Sequence, residues 1–200
     1  MDLAIDNARA VVLVEGLSDQ AAVEALAERR GCDLRSERVA VVPIGGATNI
    51  TRFLEHFGPR RSAVRVTGLC DVGEERAYRR GLERAGYGAD LTRTQMEQLG
   101  FYVCDKDLED ELIRALGTTA VERVIDAAGE LESFRILQRQ PAQRDRPHEE
   151  QLRRFIGTRA GRKIRYGRLL VEALDLDQVP RPLDGVLAAA VTGAAPNDAA

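Results

Sequence analysis

The segment ARAVVLVEGLSDQ (8–20) carries a run of apolar residues, 11–14, straight into a glutamate, Glu15, and reaches a second acid, Asp19, four residues later. The pattern recurs. Asp71 follows the apolar run AVRVTGLC (63–70), with Glu74 and Glu75 close behind, and Asp105, Asp107, Glu109 and Asp110 follow FYVC (101–104). Carboxylates gathered together repel, and the cost grows as water is excluded. A divalent cation relieves it, and oxygen-only ligands suit Mg²⁺ or Mn²⁺. Two such ions can hold both the attacking and the leaving oxygen of a phosphoryl transfer. Acids near helix starts are also favoured by the helix dipole. Taken singly, Asp19, Glu74, Glu75, Asp107 and Glu109 are equally at home as solvated first-turn residues. Glu15 and Asp71 are harder to explain that way, because strand-end turns more often use Gly, Asn or Ser.

The surrounding pattern predicts elements that would bring these acids together. Residues 10–14, 39–44, 63–69 and 101–104 read as strands, the first buried on both faces. Ser18 is placed to cap a helix with apolar positions Ala22, Val23, Leu26 and Ala27, stopped by Gly31, and Thr48 to cap a short helix with Ile50, Phe53, Leu54 and Phe57. Leu108, Leu112, Ile113 and Leu116 give a helical face closed by Gly117. Strand and helix in alternation argue for a parallel sheet with helices on its faces. Ligands of such sheets sit outside the carboxyl ends of the strands, where these acids fall. From 118 onward strands cease. Residues 118–129, 131–139, 149–157 and 164–175 read as helices, with a polar loop or hinge at 138–150. The expected organisation is an α/β core over 1–130, a helical C-terminal extension over 131–192 that completes the domain, and a disordered tail over 193–200.

Composition narrows the function classes. The net charge of -3 excludes a uniformly basic nucleic-acid coat, although an acid-rich site lowers that figure by itself. Cys32, Cys70 and Cys104 have neither zinc spacing nor a paired framework, which predicts reduced thiols and a cytoplasmic protein. No stretch reaches transmembrane length and the start is no signal peptide, so no membrane partner is expected. Gly45-Gly46 reads as a tight turn rather than a phosphate cradle, His56 as a core-edge residue, and His148 as part of the polar loop. No Ser-His-Asp or Cys-His arrangement has supporting context. Lys106 and Lys163 are the only lysines among 29 basic residues. The Arg-rich stretches 52–61 and 153–168, the latter with Arg159, Arg162 and Arg165, are consistent either with a phosphate-contacting stripe or with solvated helix faces.

These motifs resemble the Toprim family, the metal-binding domain shared by bacterial primases, topoisomerases and recombination proteins. VEGLSD is similar to its glutamate motif and CDVGEE to its DxD motif. The similarity is greatest to the Toprim domain of the overcoming-lysogenization-defect (OLD) nucleases. Asp19 matches that branch's second acid, IGGATN (44–49) its Gly-Gly and Asn turn, DLEDELIRALG (107–117) its third acidic motif, and Lys163 its late lysine. The resemblance covers roughly residues 10–175. It implies a Rossmann-like parallel sheet of about four strands flanked by helices and a metal-dependent nuclease, with DNA the favoured substrate.

It further implies that Glu15 and Asp19 hold one ion with Asp71, and that Asp107 and Glu109 help hold the second. Glu15 would serve as base or ligand, and Lys163 would offset transition-state charge or orient the attacking water. Two features depart from the pattern. Gly73 replaces the second Asp of DxD, leaving Glu74 or Glu75 as substitute ligands. No GxxxxGK[ST] is present, so the chain reads as a free-standing Toprim protein whose ATP dependence, if any, comes from a separate ATPase chain. Two rival functions stand beside a nuclease: a nucleic-acid-binding or regulatory module that has lost a metal, and a nucleotidyltransferase or phosphohydrolase acting on small nucleotides. An oligomer is compatible with all three.

Overall fold

The computed structural model describes residues 7–46, 49–57 and 64–192. Four strands, β1 (Ala10–Val14), β2 (Val39–Pro43), β3 (Arg65–Asp71) and β4 (Phe101–Cys104), form one sheet in the order β2-β1-β3-β4. All neighbours are parallel, with Val12 opposite Val41 and Thr67, and Cys70 opposite Val103. The chain therefore leaves β1 in one direction to β2 and returns to the other side for β3. That reversal opens a crevice between the carboxyl ends of β1 and β3, the place where parallel α/β sheets bind ligands.

Every residue of β1 is buried, and its side chains alternate between two cores. Val11 and Leu13 pack under α2 (Ile50–Phe57), α3 (Glu75–Ala85) and α4 (Arg93–Gln98). Ala10, Val12 and Val14 pack under a thicker layer. It holds α1 (Leu17–Arg29), α5 (Leu108–Leu116), α6 (Thr118–Ala127), α7 (Leu131–Arg139), α8 (His148–Gly157), α9 (Ala160–Ala173) and α10 (Arg181–Thr192). The helices beyond residue 130 thus share one core with the sheet. Leu183, Val186 and Ala190 of α10 are fully buried there. The C-terminal carbonyls of α10 are satisfied by arginines at strand starts, Arg9 donating to Val191 and Arg65 to Ala190.

Several sequence expectations shift in detail. The α1 N-cap is Gly16, not Ser18. Asp19, at the third helical position, folds its carboxylate back to accept from the Gly16 N–H at 3.0 Å, so a helix-start signal came from the acid rather than the hydroxyl. Thr48, the start of 63–69, the basic pair Arg60 and Arg61, and the tail 193–200 lie outside the described residues. β3 extends through Asp71, and α9 begins at 160 rather than 164. His148 opens α8 and pairs with Glu122 at 2.8 Å instead of lying in a loop. Residues 140–147 are no free hinge, because the Gln151 amide donates to the Gln143 and Arg146 carbonyls at 2.9 and 3.1 Å. The helices α3, α4 and α10 were not anticipated. The cysteines are free, as expected, and burial holds the Cys70 and Cys104 thiols protonated. Among the described residues no helix is long and apolar enough to cross a membrane.

Candidate active site

Glu15 stands at the head of the crevice and is fixed on both sides. Its backbone carbonyl accepts from the Gly45 and Gly46 N–H groups at 3.2 and 3.3 Å. Those glycines have φ of 71° and 112°, a conformation that side chains resist, which explains the doublet after β2. Its side chain reaches across the switch point, where Oε1 accepts from the Asp71 N–H at 2.9 Å. One carboxylate thereby ties the end of β1 to the end of β3.

Asp19 enters from the first turn of α1, with Oδ2 on the Gly16 N–H and Oδ1 3.4 Å from the Ser18 hydroxyl. Asp107 and Glu109 enter from the start of α5. Asp107 caps that helix, its Oδ1 accepting from the Asp110 N–H at 2.8 Å. Burial, followed by repulsion from Glu15, Asp19, Asp107 and Glu109, pushes the Asp71 carboxyl up to about 8. Burial lifts Glu109 to about 7, with repulsion from Asp19 and Asp107 adding to the rise and Lys163 working against it. Glu15 and Asp19 are also raised, burial again first among the causes. Five acids from three strand ends therefore act on one another. The same five were singled out in the sequence as metal ligands.

Lys163, on α9, reaches this group. Its ammonium lies 3.2 Å from Glu109 Oε1, and its charge lowers Glu15, Asp19 and Glu109. Gly167, one turn further along α9, lets it come so close. A Cβ there would stand 2.5 Å from the Ser18 carbonyl oxygen, so only glycine allows α9 to lie against the start of α1. The far end of α9 is held by Arg29 of α1, which donates to the Val171 and Leu174 carbonyls.

Other acids of the same segments are turned elsewhere. Both oxygens of Glu75 are engaged, by Arg79 at 2.5 Å and Arg93 at 2.7 Å, which removes it as a substitute ligand. Glu74 lies near enough for its charge to raise Glu15. Asp110 pairs with Lys106 and Arg114, both at 2.9 Å, and Arg114 also holds Glu111 at 2.7 Å and Asp105 at 3.6 Å.

The arginines of the 153–168 stretch are placed differently from one another. Arg162 is 11% exposed, pairs with Glu130 at 2.8 Å and lies 4.0 Å from the Phe155 ring centroid, so its guanidinium is structural. Arg165 donates to the Ala128 carbonyl and faces Glu130, while Arg159 is exposed. The residue the sequence did not single out is Arg153. From α8 its Nε donates to Asp107 Oδ2 at 2.6 Å, and its Nη2 contacts the same oxygen. It lies in the Arg-rich stretch, but spacing alone does not separate it from Arg154 or Arg159.

Between α5, α8 and the start of α9 lies a cleft of 610 Å³, with Asp107, Glu109, Lys106, Arg153, Arg154 and Lys163 in its lining. Among the described residues no three acids, histidines or cysteines close on one point as a finished ion cage. The donor set nevertheless fits an oxygen-preferring divalent cation. It consists of carboxylates, and their mutual repulsion measures the positive charge they lack.

Residues 8–71 match the family model described as "Overcoming lysogenization defect protein-like, TOPRIM domain". The C-terminal region of the Xanthomonas campestris pv. campestris OLD protein is 25% identical, with a TM-score of 0.74 over 95% of this chain and 95% of that one. The C-terminal region of the Burkholderia pseudomallei OLD protein is 22% identical, with a TM-score of 0.67 over 90% of this chain and 95% of that one. No curated protein matches.

Proposed function

We propose that this chain, similar to OLD-like Toprim domains over residues 8–71 and to OLD C-terminal regions in fold, is a metal-dependent nuclease that hydrolyses phosphodiester bonds in nucleic acid, DNA being the favoured substrate. The observation that carries this reading is the charge-starved crevice, in which four neighbouring acids help to lift Asp71 to about 8. A protein gains nothing in stability from such a cluster, because ionised groups that repel and are partly buried oppose folding. The cluster makes sense as a receptor for positive charge.

Glu15, Asp19 and Asp71 would hold Mg²⁺ or Mn²⁺, with Glu74 as a further oxygen donor in the place that Gly73 leaves empty. The ion would offset carboxylate charge and polarise the phosphate oxygens. Glu15 is anchored by the Asp71 N–H and raised by burial, which suits it to take the proton of the attacking water. Lys163 approaches from α9 and would offset the negative charge that builds on the phosphate oxygens. Arg154, exposed in the cleft lining, and Arg159, exposed at the N-cap of α9, would contact the strand's phosphates. A separate ATPase chain would act as a partner rather than as part of this site.

The test is nicking of supercoiled plasmid by the purified protein, titrated with Mg²⁺ and with Mn²⁺, beside the Glu15→Gln variant. Nicking is expected only with added ion and should fall at least about 100-fold in the variant, the scale for removing one preorganised active-site group. Cleavage that survives unchanged in folded Glu15→Gln would sink the mechanism. Retardation of DNA without any cleavage would favour the binding module, and turnover of mononucleotides alone the small-nucleotide enzyme.

A further inference from the structure

Among the described residues Asp107 is the one site acid that an arginine clamps, and both of its oxygens are taken. Oδ1 caps α5 through the Asp110 N–H, and Oδ2 is held by Nε and Nη2 of Arg153. The Arg153 side chain is half exposed, but the helix that carries it is firmly seated. Arg153 projects from α8 between Leu152 and Phe155, which are fully or almost fully buried, and Gln151 of the same turn is bonded to Gln138, Gln143 and Arg146. Next to it, Glu109 is matched by Lys163. Two cations thus sit directly on the two acids contributed by the start of α5, although Lys163 only partly offsets the burial of Glu109. Glu15 and Asp71, across the crevice, have no cation in direct contact among the described residues.

The sequence supplies an independent sign of the same imbalance. Gly73 stands where the family pattern places a second acid. The space a Cβ would enter there is open, with nothing within 4 Å, so packing did not demand the glycine. Position 73 carries no carboxylate on one side of the crevice, and a guanidinium sits on a carboxylate at the other.

We propose that Arg153 takes the place of the second cation, so that this chain binds one divalent ion, at Glu15, Asp19 and Asp71, where the family pattern provides for two. The proposal rests on the nuclease reading above. Arg153 is a positioning residue in this scheme. Two of its nitrogens hold Asp107, and the residue lines the cleft, where a phosphate oxygen could be received by its remaining N–H donors. Unlike an ion, the guanidinium needs no third carboxylate to keep it in place, which removes the demand for an acid at position 73.

The experiment counts Mn²⁺ ions by calorimetry and by electron paramagnetic resonance of the free ion, with no nucleic acid present. The wild-type chain should bind one ion. Arg153→Met keeps the aliphatic stem, and combined with Gly73→Asp it restores both missing carboxylate functions, so the double variant should bind two. Melting curves establish that each variant is folded. Two ions on the wild-type chain, or one on a folded double variant, overturns the inference and leaves the nuclease reading intact. No ion on the wild-type chain overturns the nuclease reading, and the inference with it.

Discussion

Two groups of carboxylates lie within a few residues of each other along α5 and the strand ends, and they are treated in opposite ways. Asp105, Asp110 and Glu111 gather around Arg114, with Lys106 and Arg93 adding further charge, and hydrogen bonds and ion pairs hold Asp110 below the ordinary carboxylate range. Glu15, Asp19, Asp71 and Glu109 share a single lysine and are all raised. The residue types are the same, and so is the position at strand ends and helix starts. What differs is which neighbours the packing supplies. Acids that stabilise the fold are given partners, and acids kept for a ligand are left short of them.

That contrast can be attacked by substitution. Gly167→Ala should have the largest effect, because the added methyl meets the Ser18 carbonyl at 2.5 Å. Overpacking of this kind costs about 1–3 kcal/mol. Separating α9 from α1 would also draw Lys163 off the raised acids, so cleavage should fall further than stability alone explains. Denaturant titration and plasmid nicking on the same preparation separate the two effects.

Asp110→Asn removes an acid from the satisfied group. It should cost about 1–2 kcal/mol, since it weakens two charge-assisted contacts and leaves Arg114 less well matched. Cleavage should stay within a few-fold of wild type. A variant of unchanged stability and lost cleavage would show that the division between the two groups is wrong.

The smallest and most diagnostic effect concerns pH. Between its ordinary value of 3.8 and about 8, Asp71 is protonated in the folded chain and ionised in the unfolded one. The folded state then holds the extra proton, so this contribution is full below pH 3.8 and is lost as pH rises through 8. Glu109 behaves alike up to about 7. Without divalent ions the melting temperature should decline from pH 5 to 8, the decline should flatten in Asp71→Asn, and Mg²⁺ should offset it. A metal-free melting temperature that climbs over this range would contradict the assignment of the starved group.

Much of this was legible in the sequence because it is local. Largely apolar runs of four to eight residues ending in an acid revealed three of the four strands and the edge at which Glu15, Asp71 and Asp107 stand. The glycine doublet after β2 announced a turn, although not that its N–H groups would grip the Glu15 carbonyl. The motifs also carried the family resemblance, which the match over residues 8–71 and the OLD C-terminal structures bear out. The helices α3, α4 and α10 were missed for identifiable reasons. The α3 segment is dense in Arg and Glu with few apolar positions, α4 has six residues, and α10 opens Arg-Pro-Leu and continues in alanines, a weak periodic signal.

The sequence by itself determined which acids end strands, that the core is α/β, and that position 73 lacks a carboxylate. Each of these depends on residue type and short-range spacing, which do not change on folding. Only the tertiary structure decided the rest: that strand order reverses between β1 and β3, that Arg162 turns inward onto Phe155 while Arg153 clamps Asp107, and that Glu75 is consumed by Arg79 and Arg93. An arginine and a glutamate look alike along a chain wherever they occur. Their protonation and their work are set by burial and by charges brought from 46 residues away for Arg153 and Asp107, and that distance is closed only when α8 packs against α5.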